Sequence, residues 1–258
     1  MRSVKKIYLV FLLVFFGLST HAKAEVTVLQ SSDFVGITFW VVSMGMLAAT
    51  AFFFFERGNV TMAWRTPLTV AGIVTGVAFV HYMYLRNVWV QTGDAPTVYR
   101  YIDWLITLPL QIIQFYLILA AVRKVKNSIF WKLLLASMAI IVFWFLGEAG
   151  YIHPFLAFIL GAAGWVYVLY EIFAGEVCRL SIKSGNKGLT TSFELMRLIV
   201  AVGWAIYPLS YIFGFLTGGI ETSTINIFYN LADFINKIAF GLVIWVAATS
   251  NTSLSRRY

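Results

Sequence analysis

The sequence predicts an all-α membrane protein, a bundle of seven transmembrane helices, and three observations carry that prediction. Of 258 residues, 60% are hydrophobic and only 12% charged, too apolar a balance for one water-soluble core. Seven apolar runs are each long enough to cross a bilayer, which takes about 20 residues of helix. Lysine and arginine gather in alternate connections, the asymmetry that sets which side faces the cytoplasm.

The first apolar run, Ile7 to Leu18, is too short to span; it follows Arg2, Lys5 and Lys6 and precedes Ala22-Lys23-Ala24. That pattern predicts a cleaved signal peptide over residues 1–24, with Glu25 as the new N-terminus and one domain over 25–258. The spans follow at about 34–55, 66–85, 99–122, 129–147, 152–173, 196–216 and 225–248. Pro109 in the third and Pro208 in the sixth each remove a backbone donor and permit a bend. The longest connection is expected at about 175–194; the others are short, which leaves no room for a soluble domain. Function must therefore sit inside the bundle.

An exported N-terminus and seven crossings leave the C-terminus in the cytoplasm. The charges agree: the connections after runs one, three and five, with the tail and adjoining helix ends, carry twelve lysines and arginines against four glutamates. The opposite side has Arg86 alone against five acids. The basic balance is thus a topology signal, with membrane lipid as the surrounding partner and no nucleic acid implied. A single cysteine, Cys178, excludes an internal disulfide and any multi-cysteine metal site. No metal centre is expected.

With the charges of the connections and adjoining helix ends set aside, four ionisable groups remain within the spans: Arg100 and Asp103 on the third, Asp233 and Lys237 on the seventh. Their charges cancel, as burial demands. A lysine near bilayer midplane costs roughly 2.5–3.5 kcal/mol on insertion scales, so one that is kept is a functional hypothesis. Asp233 precedes Lys237 by one helical turn, on the same face, and can serve as its counter-ion. At ~100° per residue, Arg100, Asp103, Thr107, Gln111 and Gln114 fall within about an 80° arc and make one polar stripe. A stripe roughly 16 Å long from Asp103 to Gln114, flanked by a central lysine, has the shape of a route for a small ion. Trp104 adjoins Asp103, and Trp204, Tyr207, Pro208 and Tyr211 share one face of the sixth span. A deep apolar pocket around a lysine favours the neutral, nucleophilic amine, which condenses with aldehydes.

The segments R-Y-I-D-W-L-I-T-L-P-L-Q (Arg100 to Gln111), W-A-I-Y-P-L-S-Y (Trp204 to Tyr211) and D-F-I-N-K (Asp233 to Lys237) resemble the microbial rhodopsins, most closely the proteorhodopsins. His81, G-E-A-G (Gly147 to Gly150) and Y-N-L-A-D-F (Tyr229 to Phe234) extend the likeness over residues 30 to 250. The resemblance implies all-trans retinal bound to Lys237 as a protonated Schiff base, between Trp104 and the aromatics of the sixth span. It implies Asp103 and Asp233 as counter-ions, isomerisation to 13-cis in light, transfer of the Schiff-base proton to Asp103, and Arg100 coupling that step to release outside. His81 is similar to the histidine that pairs with the primary acceptor. Trp40 matches the aromatic that reaches this histidine from a neighbouring protomer, which implies a ring-shaped homo-oligomer, a pentamer or hexamer. Gln111 stands where a glutamine accompanies blue absorption. Phe158 stands where antenna-carrying relatives have a glycine that admits a carotenoid. The implied setting is a bacterial inner membrane.

One position departs from the proton-pump pattern. Most proteorhodopsins carry a carboxylic acid as cytoplasmic donor, and this chain has Gln114, whose amide cannot donate a proton at physiological pH. A slow photocycle is expected. Asp103 argues against a chloride pump, whose anion would need that place, and Thr107 stands where sodium pumps carry an acid. The main expectation is a light-driven outward proton pump, a transporter and not an enzyme; the alternative is a slow-cycling photosensor with little net transport.

Overall fold

The computed structural model describes residues 29–255. The expected signal peptide, residues 1–24, lies outside the described residues.

Seven helices long and apolar enough to cross a membrane account for nearly all of the described chain: α1 Phe34–Glu56, α2 Met62–Thr92, α3 Thr97–Ala120, α4 Asn127–Glu148, α5 Pro154–Ile182, α6 Lys187–Leu216 and α7 Thr222–Ser253. In lipid a spanning backbone must satisfy its own polar groups, and consecutive helices do so without partners. Each helix packs on its sequence neighbour, while α7 closes the ring against α1, α2 and α6 and also touches α3. This places the polar stripe of α3 and the lysine of α7 on facing inner surfaces. Each helix turns its apolar remainder outward, as lipid requires: Ile102 and Ile106 of α3 and Leu231 and Ile235 of α7 are exposed.

The helices run past the apolar runs that announced them. The expected long connection over 175–194 is mostly helix: Glu176–Ile182 continues α5, and α6 begins at Lys187, leaving a break of Lys183 to Asn186. Hydropathy marks the part of a helix that sits in hydrocarbon and is blind to polar turns beyond it. Asn186 Oδ1 caps the new start by accepting from the Leu189 backbone N–H at 2.9 Å. Glu171, which sequence reading grouped with the solvent-side charges, is buried, and its Oε2 accepts the Glu176 and Val177 backbone N–H groups at 3.0 and 3.5 Å.

Pro109 and Pro67 sit inside otherwise continuous helices. Around Pro208, α6 changes pitch twice, with a 3₁₀ turn at Gly203–Ala205 and a π turn at Tyr211–Leu216. Asn236 Nδ2 of α7 donates to the loosened Gly203 carbonyl at 2.9 Å. A Cβ at Gly203 would lie 2.1 Å from Asn236 Oδ1, so any larger residue here would have to displace the Asn236 amide.

Candidate functional site

Two helices carry the charged groups of the site. α3 delivers Arg100, Asp103, Thr107, Gln111 and Gln114 to the interior, all of them buried, so the stripe expected from helical arithmetic exists. α7 delivers Asp233 and Lys237. Lys237 Nζ donates to Asp103 Oδ2 across the helix pair and to Asp233 Oδ2 one turn away at 3.1 Å.

The two carboxylates differ in what holds them. Asp233 accepts from Tyr207 Oη at 2.5 Å, Tyr82 Oη at 2.9 Å and Trp104 Nε1 at 3.4 Å, besides Lys237. Asp103 has Lys237 on one oxygen, and its Oδ1 is buried with no hydrogen-bond partner. Hydrogen bonds to a carboxylate favour the charged form, so a proton arriving between the two disturbs fewer bonds on Asp103. Thr107 donates to the Asp103 backbone carbonyl at 3.1 Å.

Arg100 extends this cluster towards the α3 N-terminus. Its guanidinium donates to Tyr82 Oη at 3.0 Å, Asn226 Oδ1 at 2.7 Å and Asn230 Oδ1 at 2.6 Å, with the Phe39, Tyr82 and Tyr229 rings around it. Tyr82 therefore bridges Arg100 and Asp233. His81 is buried beside it, ring centroids 6.3 Å apart, with Nε2 lacking a hydrogen-bond partner; no hydrogen bond joins His81 to Asp103.

Beyond Lys237 opens a slot walled by Trp104, Leu108, Ile140, Trp144, Trp165 and Trp204, with Thr107, Gln111, Ile141, Tyr207 and Asp233 completing it. The empty space along it comes to about 460 Å³, yet only about 30 Å³ of that admits the centre of a water molecule. Flat, narrow, apolar and closed by an amine, it fits a planar hydrocarbon chain with a carbonyl end. The indole Nε1 atoms of Trp165 and Trp204 and Gln111 Nε2 are buried without partners.

Most of the expected ligand-lining residues reach the slot: Trp104, Thr107, Gln111, Trp204, Tyr207 and Lys237 do. Pro208 and Tyr211 are not among its lining residues. Pro208 is buried in the α6 body, and Tyr211 turns to Trp144 and Phe158 and donates to the Pro154 carbonyl at 3.3 Å. The pitch change between Trp204 and Tyr211 rotates the second away from the first, which a regular 3.6-residue count cannot anticipate. Gln114 lies deeper than the slot, its Oε1 unpartnered. Trp40 is 39% exposed on α1, with the Arg86 guanidinium 5.0 Å from its ring.

Sequence reading missed two groups. Leu108, Ile140, Ile141, Trp144 and Trp165 look like ordinary core, and no local signal separates them from it. Asn226 and Asn230 did carry a signal: at ~100° per residue they join Asp233 and Lys237 in about a 60° arc, the same stripe arithmetic that worked for α3.

The sequence pattern of the bacteriorhodopsin-like protein family matches residues 33–251. The chain is 51% identical to a blue-light absorbing proteorhodopsin of Gamma-proteobacterium Hot 75m4 over 227 residues, 87% of this chain and 90% of the relative. It is 50% identical over 226 residues to a green-light absorbing proteorhodopsin of Gamma-proteobacterium EBAC31A08, again covering 87% and 90%. Overall identity thus does not separate blue from green. Among solved structures, the blue light-absorbing proteorhodopsin from Med12 superposes with a TM-score of 0.72 at 50% identity, covering 85% of this chain and 100% of that one.

Proposed function

Because the chain belongs to the bacteriorhodopsin-like protein family, we propose that it is a light-driven outward proton pump, blue-absorbing, with retinal on Lys237 and a slow photocycle. The observation that carries this reading is Lys237 Nζ set between two carboxylates at the mouth of a dry aromatic slot. Retinal, joined to that nitrogen as a Schiff base, supplies light absorption and a change of shape that turns the N–H on Nζ.

The chain's own residues do the rest. Trp104 and Trp204 orient the slot's contents and Tyr207 closes its polar end, while the narrow walls exclude water. Asp103 and Asp233 together balance the cation on Nζ. Once the N–H turns, Asp103 takes its proton at Oδ, since Asp233 stays anchored as an anion by three further donors. Neutralising Asp103 removes a negative charge one helical turn from Arg100, so the guanidinium turns to the acceptors beside it, Tyr82, Asn226 and Asn230, and couples the step to release. His81 Nε2 and Asp103 Oδ1 are both buried without hydrogen-bond partners, which suits the pairing of the two that the family resemblance implies.

On the other side of Lys237, Gln114 has no proton to give. Nζ is reprotonated from cytoplasmic water across an apolar layer, and this step limits the cycle. The N-terminus faces outside and the C-terminus the cytoplasm, following the charge bias. Trp40, projecting from α1, packs on the His81 region of a neighbouring protomer in a pentameric or hexameric ring.

Illumination of cells supplied with retinal, with external pH recorded, tests the proposal. Sustained acidification abolished by a protonophore is expected, and Lys237→Ala must remove the visible band. A light-induced spectral change without net acidification would favour the second reading, a photosensor, which the missing donor at Gln114 would suit.

A further inference from the structure

The scheme above uses the Lys237 end of the aromatic slot and leaves its opposite end without a role. There α4 supplies Ile140, Ile141 and Trp144, and α5 supplies Trp165. α4 packs on α3 and α5, whereas α7 packs on α1, α2 and α6 and touches α3, so these side chains close the slot on the side away from the amine.

Trp144 is buried in this far wall and fixed from two directions. Its Nε1 donates to the Phe158 carbonyl at 3.2 Å, and its ring lies 8° from parallel to the Phe158 ring with centroids 6.4 Å apart. Tyr211 backs the pair, its centroid 5.7 Å from Phe158 and 6.2 Å from Trp144. The pitch change of α6 that takes Tyr211 out of the slot thus sets it against the slot's far wall. Gly161 of α5 completes the arrangement. A Cβ there would lie 2.2 Å from Trp144 Nε1 and 2.3 Å from its Cδ1, so the indole rests on bare backbone. A methyl group at 161 would press the indole off α5, and the slot that Trp144 lines is the space into which it would move. Packed interiors resist added volume, so a large ring held in this way does not swing aside for a bulkier ligand.

We propose that Trp144, seated on Gly161, sets the size of the ring that the slot accepts at the end remote from Lys237, and so selects among polyene aldehydes. The proposal rests on the reading of Lys237 as the retinal-binding amine. A polyene aldehyde joined to Nζ runs from α7 towards α4 and α5 and brings its other end to this wall. Retinal ends there in one six-membered ring. An acyclic chain makes no demand on Trp144, and a fused two-ring system has to displace it. The linkage is the same in each case, an imine C=N bond formed from amine and aldehyde with loss of one water, so differences between such ligands report on the far wall alone.

The test mixes ligand-free protein in lipid vesicles with one of three all-trans aldehydes and follows growth of the visible band: retinal, an acyclic polyene aldehyde, and an analogue ending in a naphthalene. The parent should form pigment with the naphthyl analogue more slowly than with the acyclic one, by about tenfold or more. Trp144→Ala should raise the naphthyl rate relative to the acyclic rate by about tenfold or more. Gly161→Ala should act the other way and lower the retinal rate relative to the acyclic rate by a similar factor. Each result is a ratio between ligands on one protein, so a smaller folded fraction cancels, and Trp144→Leu takes the place of Trp144→Ala if the latter does not fold. Ratios that match the parent's in either variant would overturn the assignment. A parent that forms a visible band with none of the three aldehydes sinks the retinal reading and the selection together, whereas a parent band with unchanged ratios in the variants sinks the selection alone.

Discussion

The halves of the bundle on either side of Lys237 are built from the same helices and have opposite chemistry. Towards the α3 N-terminus, Asn226 and Asn230 accept from Arg100, Tyr207 donates to Asp233, and Tyr82 joins Arg100 to Asp233, so the six form one hydrogen-bonded cluster. Towards its C-terminus, Gln114 Oε1 is buried unpartnered, and Phe115 packs edge-to-face with Phe193 and Phe240 at 5.1 and 5.8 Å. The difference teaches what each half is for. A connected polar cluster lets a charge at the centre be felt at the surface, while an aromatic plug keeps ions from leaking back. A pump needs one side conductive and the other closed at any moment, and this chain sets the resting asymmetry in its side chains.

The sharpest way to break the comparison is to open the polar half. Arg100→Gln strips charge-assisted donors from Tyr82, Asn226 and Asn230 and leaves two carboxylates against one lysine. It should cost about 3–5 kcal/mol, seen as a lower temperature for thermal loss of colour in detergent. Next in size, Asp103→Asn removes the acceptor while keeping its shape. Light-driven acidification should fall by about 100-fold or more, measured on vesicles at matched pigment content. A mutant that pumps as well as the parent would move the acceptor role to Asp233.

The other half is tested by adding what it lacks. Gln114→Glu supplies an acid, and recovery of the Nζ proton after a flash should speed by about 10-fold or more. An unchanged recovery rate would show that the aromatic plug, not the missing proton, sets the pace. The smallest effect is expected from Gln114→Leu. Replacing a buried polar group that has an unpartnered atom by an apolar one of similar size should change stability by under about 1 kcal/mol, or raise it. If it destabilises as strongly as Arg100→Gln, the Gln114 half contains a polar network of its own.

Much of this was legible without coordinates because a membrane simplifies the code. Within hydrocarbon every charge is costly, so Arg100, Asp103, Asp233 and Lys237 stood out by type alone, and helical period put the five α3 residues on one face. Residues outside the hydrocarbon carry no such penalty. That is why Glu148, just past the fourth span, was passed over as a surface charge, although Tyr101 donates to it within the fold. Tyr82, fully buried between Arg100 and Asp233, gave no warning either, since a tyrosine in a span is unremarkable until its hydroxyl finds a partner.

The sequence by itself determined the number of crossings, the charge bias across the membrane and the identity of the reactive amine. These depend on transfer free energies and helical periodicity, properties of each segment taken alone. Only the tertiary structure decided which carboxylate is left under-bonded beside Lys237, that Tyr211 leaves the slot while Trp165 enters it, and that Tyr101 and Thr97 hold Glu148. Those outcomes depend on which helices become neighbours and on where α6 changes pitch, and pairing energies between distant segments are not written in either segment.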